Sequence, residues 1–179
     1  MLARTLIALS LSLAVYTPAH ADDCPGFSIT TTKPAGDYAW AELQLGKAGW
    51  EVRTIPKPGE IGPWRALAGL AIYKDHGHLN LVLGKSHDAF AVIDGGSDHG
   101  DTGKIQVFDA AGKQLASWGF ADFMTRVERD KLPRSISHTQ WLSAEPPWFT
   151  ARPDGRTFEI RLYSGRGVVL TLGPRPTLK

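Results

Sequence analysis

The sequence predicts a mostly β fold, arranged as an antiparallel sandwich, barrel or meander with one short helix near residues 120–132. Several short runs alternate apolar and polar side chains, as half-buried strands do. The 19 glycines and 12 prolines are scattered between these runs, where turns are expected. Asp109–Lys113 and Ser164–Gly167 have the composition of hairpin turns. Roughly seven to ten short strands at this spacing indicate an all-β architecture.

The first half of the chain contains five expected strands. In the second of them, the alternation places Ala41 and Leu43 on a core face and Trp40 on the opposite, polar face. A loop is expected over Pro56–Pro63 and a tight turn over Asp75–His78. The expected strands are Phe27–Thr32, Tyr38–Leu45, Trp50–Ile55, Ala66–Tyr73 and a half-buried Leu79–Leu83.

The second half continues the pattern and adds the helix. Four apolar residues have the i, i+3, i+4, i+7 spacing of a helix that rests on a core, and Pro133 ends it. These residues are Phe120, Phe123, Met124 and Val127. A type I turn at Asp109–Lys113 should place Gly112 in the left-handed conformation. The expected strands are Ala89–Ile93, Lys104–Phe108, Leu115–Trp118, Phe158–Leu162 and Val168–Leu172.

Residues 1–21 have the three parts of a cleavable secretory signal peptide. Arg4 supplies the positive charge, Leu6–Val15 the short apolar core and Ala19–Ala21 the small-residue cleavage site. A membrane-spanning helix would need about 20 apolar residues, which is longer than this core. We therefore expect export to the periplasm or to the exterior. The mature protein should be one β-rich domain over residues 22–179 that has no membrane span.

The composition argues against strongly charged partners. The chain has 20 Lys and Arg against 18 Asp and Glu, so neither nucleic acid nor an anionic membrane is an expected partner. The one cysteine, Cys24, cannot form an intramolecular disulfide. The residues before it do not match a lipoprotein signal, which leaves a free thiol or an intermolecular disulfide as alternatives.

The middle of the chain carries a recognisable segment. It runs from Ile105 through the Asp109–Lys113 turn and Trp118 to Leu132-Pro133-Arg134-Ser135-Ile136-Ser137-His138, with Trp141 after it. This segment resembles a family of uncharacterised exported bacterial β-rich proteins, a domain of unknown function. The resemblance covers about a quarter of the chain and implies a family without implying an activity.

The most polar loop, over residues 94–101, is a candidate calcium site. Calcium takes six to eight oxygen ligands, and the loop offers the carboxylates of Asp94, Asp98 and Asp101 among flexible glycines. The spacing is not that of an EF-hand. The alternative is an ordinary hairpin connection, because Asp and Gly are the usual residues of loops.

Histidines form a second candidate metal site. His76 and His78 are two residues apart and can point the same way from a strand. Zinc or copper would use such a pair with a third ligand, for which His87 and His99 are candidates. The alternative is that these histidines lie in turns and on the surface.

Ser135, Ser137 and His138 suggest a nucleophile with a base, and with Trp141 they are also candidate ligand-binding residues. A serine hydrolase needs the serine, the base and an orienting carboxylate to converge. The sequence contains no Gly-x-Ser-x-Gly or Ser-x-x-Lys motif. Adjacent residues of an extended segment also point to opposite faces. The alternative is a structural role for His138 after the helix.

Two tryptophans suggest a groove for a glycan or a peptide. Trp40 shares the polar face of its expected strand, and Trp148 follows a proline pair in an expected loop. Exposed tryptophans stack on sugars and peptides, although most tryptophans of a small domain belong to the core.

Three functions follow, in order of preference. The first is a non-enzymatic module of the cell envelope that binds a protein or a small ligand, without a cofactor. The second is a calcium- or zinc-dependent module that uses the Asp94–Asp101 loop. The third is a hydrolase that uses His138.

Overall fold

The computed structural model describes residues 28–70, 78–95, 104–134 and 139–179. The expected signal peptide and Cys24 lie outside these residues. Two short helices, α1 (Phe120–Phe123) and α2 (Arg126–Asp130), accompany the strands. The strands are β1 (Ser28–Thr32), β2 (Ala41–Gly46), β3 (Gly49–Thr54), β4 (Arg65–Ala66), β5 (His78–Leu83), β6 (Ala89–Asp94), β7 (Ile105–Asp109), β8 (Gln114–Trp118), β9 (Phe149–Ala151), β10 (Thr157–Arg161), β11 (Gly167–Thr171) and β12 (Thr177–Leu178).

The described strands form three sheets, so the prediction of a mostly β fold is confirmed. The central sheet has the order β1-β5-β6-β7-β8, and the two others have the orders β12-β11-β10-β9 and β2-β3-β4. Pairing is antiparallel except between β1 and β5, which are parallel. A parallel pair needs a long crossover connection, and here that connection contains the β2-β3-β4 sheet.

The central sheet is covered on both faces, which produces two hydrophobic cores. The large core lies between the central sheet and the four-stranded sheet, and it also contains Phe120, Phe123 and Trp141. The small core lies between the central sheet and the three-stranded sheet. Because both faces are covered, every residue of Leu79–Leu83 is buried. The expectation that this strand would be half-buried is therefore wrong.

The helical region near residues 120–132 is interrupted. Phe120, Phe123 and Met124 are buried as the spacing predicts, but Val127 is 62% exposed. Thr125 begins a second helix: its hydroxyl accepts from the Glu128 amide at 3.2 Å, and its amide donates to the Glu128 carboxylate at 2.8 Å. This reciprocal capping stabilises a helix start in the middle of the expected helix and turns Val127 outward.

Glycines at turns explain why the Asp109–Lys113 turn is confirmed and why the strand expected over Ala66–Tyr73 is wrong. Gly112 has φ +86°, and its amide donates to the Asp109 carbonyl at 2.9 Å, as expected for the Asp109–Lys113 turn. The strand expected over Ala66–Tyr73 instead ends at Ala66. Gly69, at φ +83°, turns the chain immediately after Leu67 has entered the small core. The last residues of that expected strand lie outside the described part.

Candidate ligand-binding cleft

A cleft of about 520 Å³ opens at the edge of the small core. It lies where the end of β3, the strand β4, the β5–β6 turn and the β7–β8 turn approach one another. Pockets that bind small molecules have volumes in this range. The lining residues are Trp40, Thr54, Ile55, Pro56, Arg65, His87, Ala110 and Ala111.

Main-chain hydrogen bonds hold the walls of the cleft together. The Ile55 amide donates to the Trp40 carbonyl at 2.6 Å, which ties the end of β3 to the start of β2. The Ala110 amide donates to the Asp88 carbonyl at 3.1 Å, which ties the β7–β8 turn to the β5–β6 turn. These main-chain contacts fix the walls of the cleft relative to each other.

His87 has an unusual backbone. Its φ is +56°, and the other described residues with positive φ are glycines. It follows Gly84-Lys85-Ser86 in the β5–β6 turn, where its amide donates to the Gly84 carbonyl at 3.3 Å. A side chain in this conformation costs about 1–2 kcal/mol relative to the right-handed one. Backbone strain of this kind is concentrated at functional sites.

Two aromatic rings hold the imidazole of His87. The Tyr38 ring meets it edge-on at 5.1 Å, and the Trp40 ring lies 5.3 Å away at an interplanar angle of 30°. The Trp40 indole also donates to the Gly84 carbonyl at 2.7 Å. The prediction that Trp40 lies on a polar face is wrong, because it is only 2% exposed. It precedes β2 and turns inward between His87 and Phe90.

The ionised side chain among the lining residues is Arg65. It is exposed, and its guanidinium donates to the Thr54 hydroxyl at 3.2 Å. A nearby carboxylate, that of Asp88, is not part of the lining and lies 3.6 Å from the guanidinium of Arg156. The cleft therefore combines an apolar wall with one positive charge, a combination that suits an amphiphilic anion.

The structure places Trp141 inside the large core. Trp141 is fully buried, packs against Phe120 and Phe123, and donates its indole N–H to the Asp94 carbonyl at 2.6 Å. Ser135, Ser137 and His138 lie outside the described residues. The hydrolase and ligand-binding roles of this segment stay predictions.

Of the expected metal ligands, Asp94, His78 and His87 are described. The Asp94 carboxylate accepts from the Lys104 ammonium at 2.9 Å, and both side chains are buried. His78 is exposed at the start of β5. Within the described ranges, no three His, Cys, Asp or Glu side chains are grouped as a metal site. His76, Asp98, His99 and Asp101 lie outside those ranges, and the metal hypothesis stays a prediction.

Trp148 does not form an exposed platform. It is half-buried against the large core, and its indole donates to the Ser143 carbonyl at 2.9 Å. With Trp40 buried as well, neither of the two tryptophans offers an open ring face for stacking on a sugar.

A second depression, of about 480 Å³, lies beside α1 and Arg166. The Arg166 guanidinium contacts both carboxylate oxygens of Glu128, at 2.8 and 2.9 Å, and donates to the Phe123 carbonyl. These hydrogen bonds hold the pKa of the Glu128 carboxyl well below its usual range. Since Arg166 is occupied within the fold, this depression is the weaker candidate for ligand binding.

The cleft residues come from distant parts of the sequence. Arg65 carries no local signal, and the histidine spacing predicts a metal ligand at His87 rather than part of a wall. The one available signal is the tetrapeptide Gly84-Lys85-Ser86-His87, whose composition suggests a turn. The sequence does not show that the left-handed position falls on the histidine.

Searches of protein-family models, curated proteins and solved structures returned no match to this chain. No helix in the described part has the length and apolarity to cross a membrane.

Proposed function

We propose that this protein is an exported, non-enzymatic ligand-binding module whose cleft takes a small organic anion. The observation that carries the proposal is the position of Arg65, an exposed guanidinium at the edge of a largely apolar cleft. A guanidinium binds carboxylates through paired, charge-assisted hydrogen bonds. The apolar wall, formed mainly by Ile55, Pro56 and the two alanines, favours a ligand with a hydrocarbon body.

The composition of the lining favours binding over catalysis. Covalent or general acid–base catalysis needs a nucleophile and a base within hydrogen-bond reach, with a third group to orient the base. The lining contains one imidazole, that of His87, and one hydroxyl, that of Thr54. That hydroxyl accepts from Arg65, and no lining carboxylate orients the imidazole.

Benzoate is a suitable first probe, because it joins a carboxylate to a small apolar ring. Titration of the mature domain, followed by ¹H–¹⁵N NMR, should shift the signals of Arg65, His87 and the Trp40 indole. A Kd on the order of millimolar is expected for so small a probe. Benzamide, which has the same shape without the charge, should bind about tenfold more weakly, since it loses a charge-assisted hydrogen bond.

Arg65→Met tests the role of the guanidinium, and it should remove the preference for benzoate over benzamide. Arg161→Met is a matched control, because Arg161 is exposed on β10 and does not line the cleft. It should leave both affinities unchanged. Benzoate shifts that spread over the whole surface, or equal loss in the two variants, would show that the cleft is not an anion site.

Export can be tested separately. The full chain expressed in a bacterial host should yield a periplasmic or secreted product that begins at Asp22, as measured by intact mass. An uncleaved product that stays in the cytoplasm would contradict the signal peptide.

A further inference from the structure

The tautomer of His87 follows from its contact with Tyr38. The Tyr38 hydroxyl has one proton, and it donates this proton to the Pro56 carbonyl at 2.6 Å. The same oxygen lies 3.5 Å from Nδ1 of His87, at the long end of hydrogen-bond distances. Since its proton is already used, the hydroxyl can only accept there. Of the two tautomers of the neutral imidazole, the one with its hydrogen on Nδ1 makes this contact favourable, and we adopt it.

A neutral imidazole has one N–H, so Nε2 is left as a hydrogen-bond acceptor. Tyr38 is not a lining residue, whereas His87 is. The ring edge opposite Tyr38 carries Nε2, and we assign this edge to the cleft side. The cleft then offers one acceptor from His87 in addition to the donors of Arg65.

We infer that the ligand is a hydroxylated organic anion, whose anionic group is bound by Arg65 and whose hydroxyl donates to Nε2 of His87. This rests on the proposed function of the cleft and specifies its ligand class. A hydroxyl suits the acceptor better than an ammonium does, because Arg65 repels a second cation. The apolar body of the ligand spans the wall between the two polar residues.

The backbone of His87 gives independent support. Glycine would adopt φ +56° without strain, so a side chain at this position is retained at a cost. The ring that it supplies is clamped by Tyr38 and Trp40 and held at the cleft. A rigid, oriented acceptor of this kind is what recognition of a ligand hydroxyl requires.

Long-range ¹H–¹⁵N NMR tests the tautomer without any ligand. At alkaline pH, where imidazoles are neutral, His87 should show the pattern of an Nδ1–H ring. Tyr38→Phe removes the acceptor and should shift His87 toward the Nε2–H form, which predominates in free histidine. An Nε2–H pattern in the wild-type protein would refute the inference.

Ligand preference is the second test. The probes are benzoate, 3-hydroxybenzoate and 4-hydroxybenzoate, titrated at neutral pH into the mature domain. At least one hydroxybenzoate should bind about twofold to tenfold more tightly than benzoate, the gain expected from one net hydrogen bond. His87→Gly, which suits the backbone, and Tyr38→Phe should both reduce this gain.

Thr54→Val separates the two side-chain acceptors of the lining, because the Thr54 hydroxyl is the other one. Since Arg65 donates to this hydroxyl, the affinity for all three acids should change together, and the ratio between them is compared. Thr54→Val should keep the preference for the hydroxylated acid if His87 is the acceptor. Loss of the preference in Thr54→Val alone would refute the role of His87. Equal affinity for all three acids at the cleft would refute the role of His87 and would still support an anion site at Arg65. Failure of all three acids to bind would refute both.

Discussion

The buried ion pair between Asp94 and Lys104 allows a quantitative prediction. The Lys104 ammonium lies 2.9 Å from the Asp94 carboxylate, and the two side chains are 1% and 4% exposed. At an effective dielectric constant of about 20, the Coulomb attraction across 2.9 Å is about 6 kcal/mol. Desolvation of two ions cancels most of this gain, so the pair contributes little net stability. Removal of one partner, however, leaves the desolvation cost of the other.

We therefore expect Lys104→Met to lower the free energy of unfolding by about 3–5 kcal/mol. Asp94→Asn should cost a similar amount, and the double variant should cost less than the sum of the two. Urea unfolding of residues 22–179 measures all three. For a domain of this size, the melting temperature of Lys104→Met should fall by about 6–20 °C.

An exposed ion pair supplies the control. Lys57 and Glu60 lie 3.4 Å apart with side chains 75% and 59% exposed, and Lys57→Met should change stability by less than about 0.5 kcal/mol. A loss of less than about 1 kcal/mol in Lys104→Met would refute the expected cost of an uncompensated buried charge. Strict additivity of Lys104→Met and Asp94→Asn would also refute it, because paired charges must couple.

Three further predictions concern single residues. Arg166 lowers the pKa of the Glu128 carboxyl, so the stability from this pair is present above the ordinary carboxyl pKa and is lost as the pH falls below it. Glu128→Gln should lower the free energy of unfolding at pH 7 by about 1–2 kcal/mol. It should also flatten the loss of stability at acidic pH, as measured by urea midpoints across pH. His87→Ala should be about 1 kcal/mol less stable than His87→Gly, because both lose the ring and only alanine keeps a Cβ at φ +56°. Equal urea midpoints for the two variants would contradict the backbone strain at this position. Asn80 is 1% exposed, and within the described part of the chain its side-chain N and O have no hydrogen-bond partner. Asn80→Val should therefore stabilise the protein by about 1–2 kcal/mol in urea unfolding, and a loss of stability would contradict this.

Features that depend on neighbouring residues were predictable. The Asp109–Lys113 turn was predicted because its glycine and aspartate act on their own backbone. The strand ending near Ile93 was predicted because a short apolar run between turns is a local signal. The helical region began where the buried phenylalanines indicated, and its interruption at Thr125 arises from a capping interaction that competes with the apolar spacing.

The candidate cleft could not be predicted in the same way. Trp40 and His87 are separated by 47 positions along the chain. They meet because Trp40, next to β2, and the β5–β6 turn come from different sheets that pack together at the small core. Arg65 reaches the cleft because β4 pairs with β3. Alternation within one strand shows which side chains share a face, and it does not show which other sheet that face will meet.

The sequence by itself determined the β-rich class, most turns and the positions of most strands, since these follow from local propensity and periodicity. It also predicts an export signal at residues 1–21 on purely local grounds. The tertiary structure decided that the central sheet is covered on both faces, that β1 and β5 are parallel, and that Trp40 is buried against His87. Long-range packing sets these features, because burial depends on which surfaces meet, and the cleft is a product of that packing.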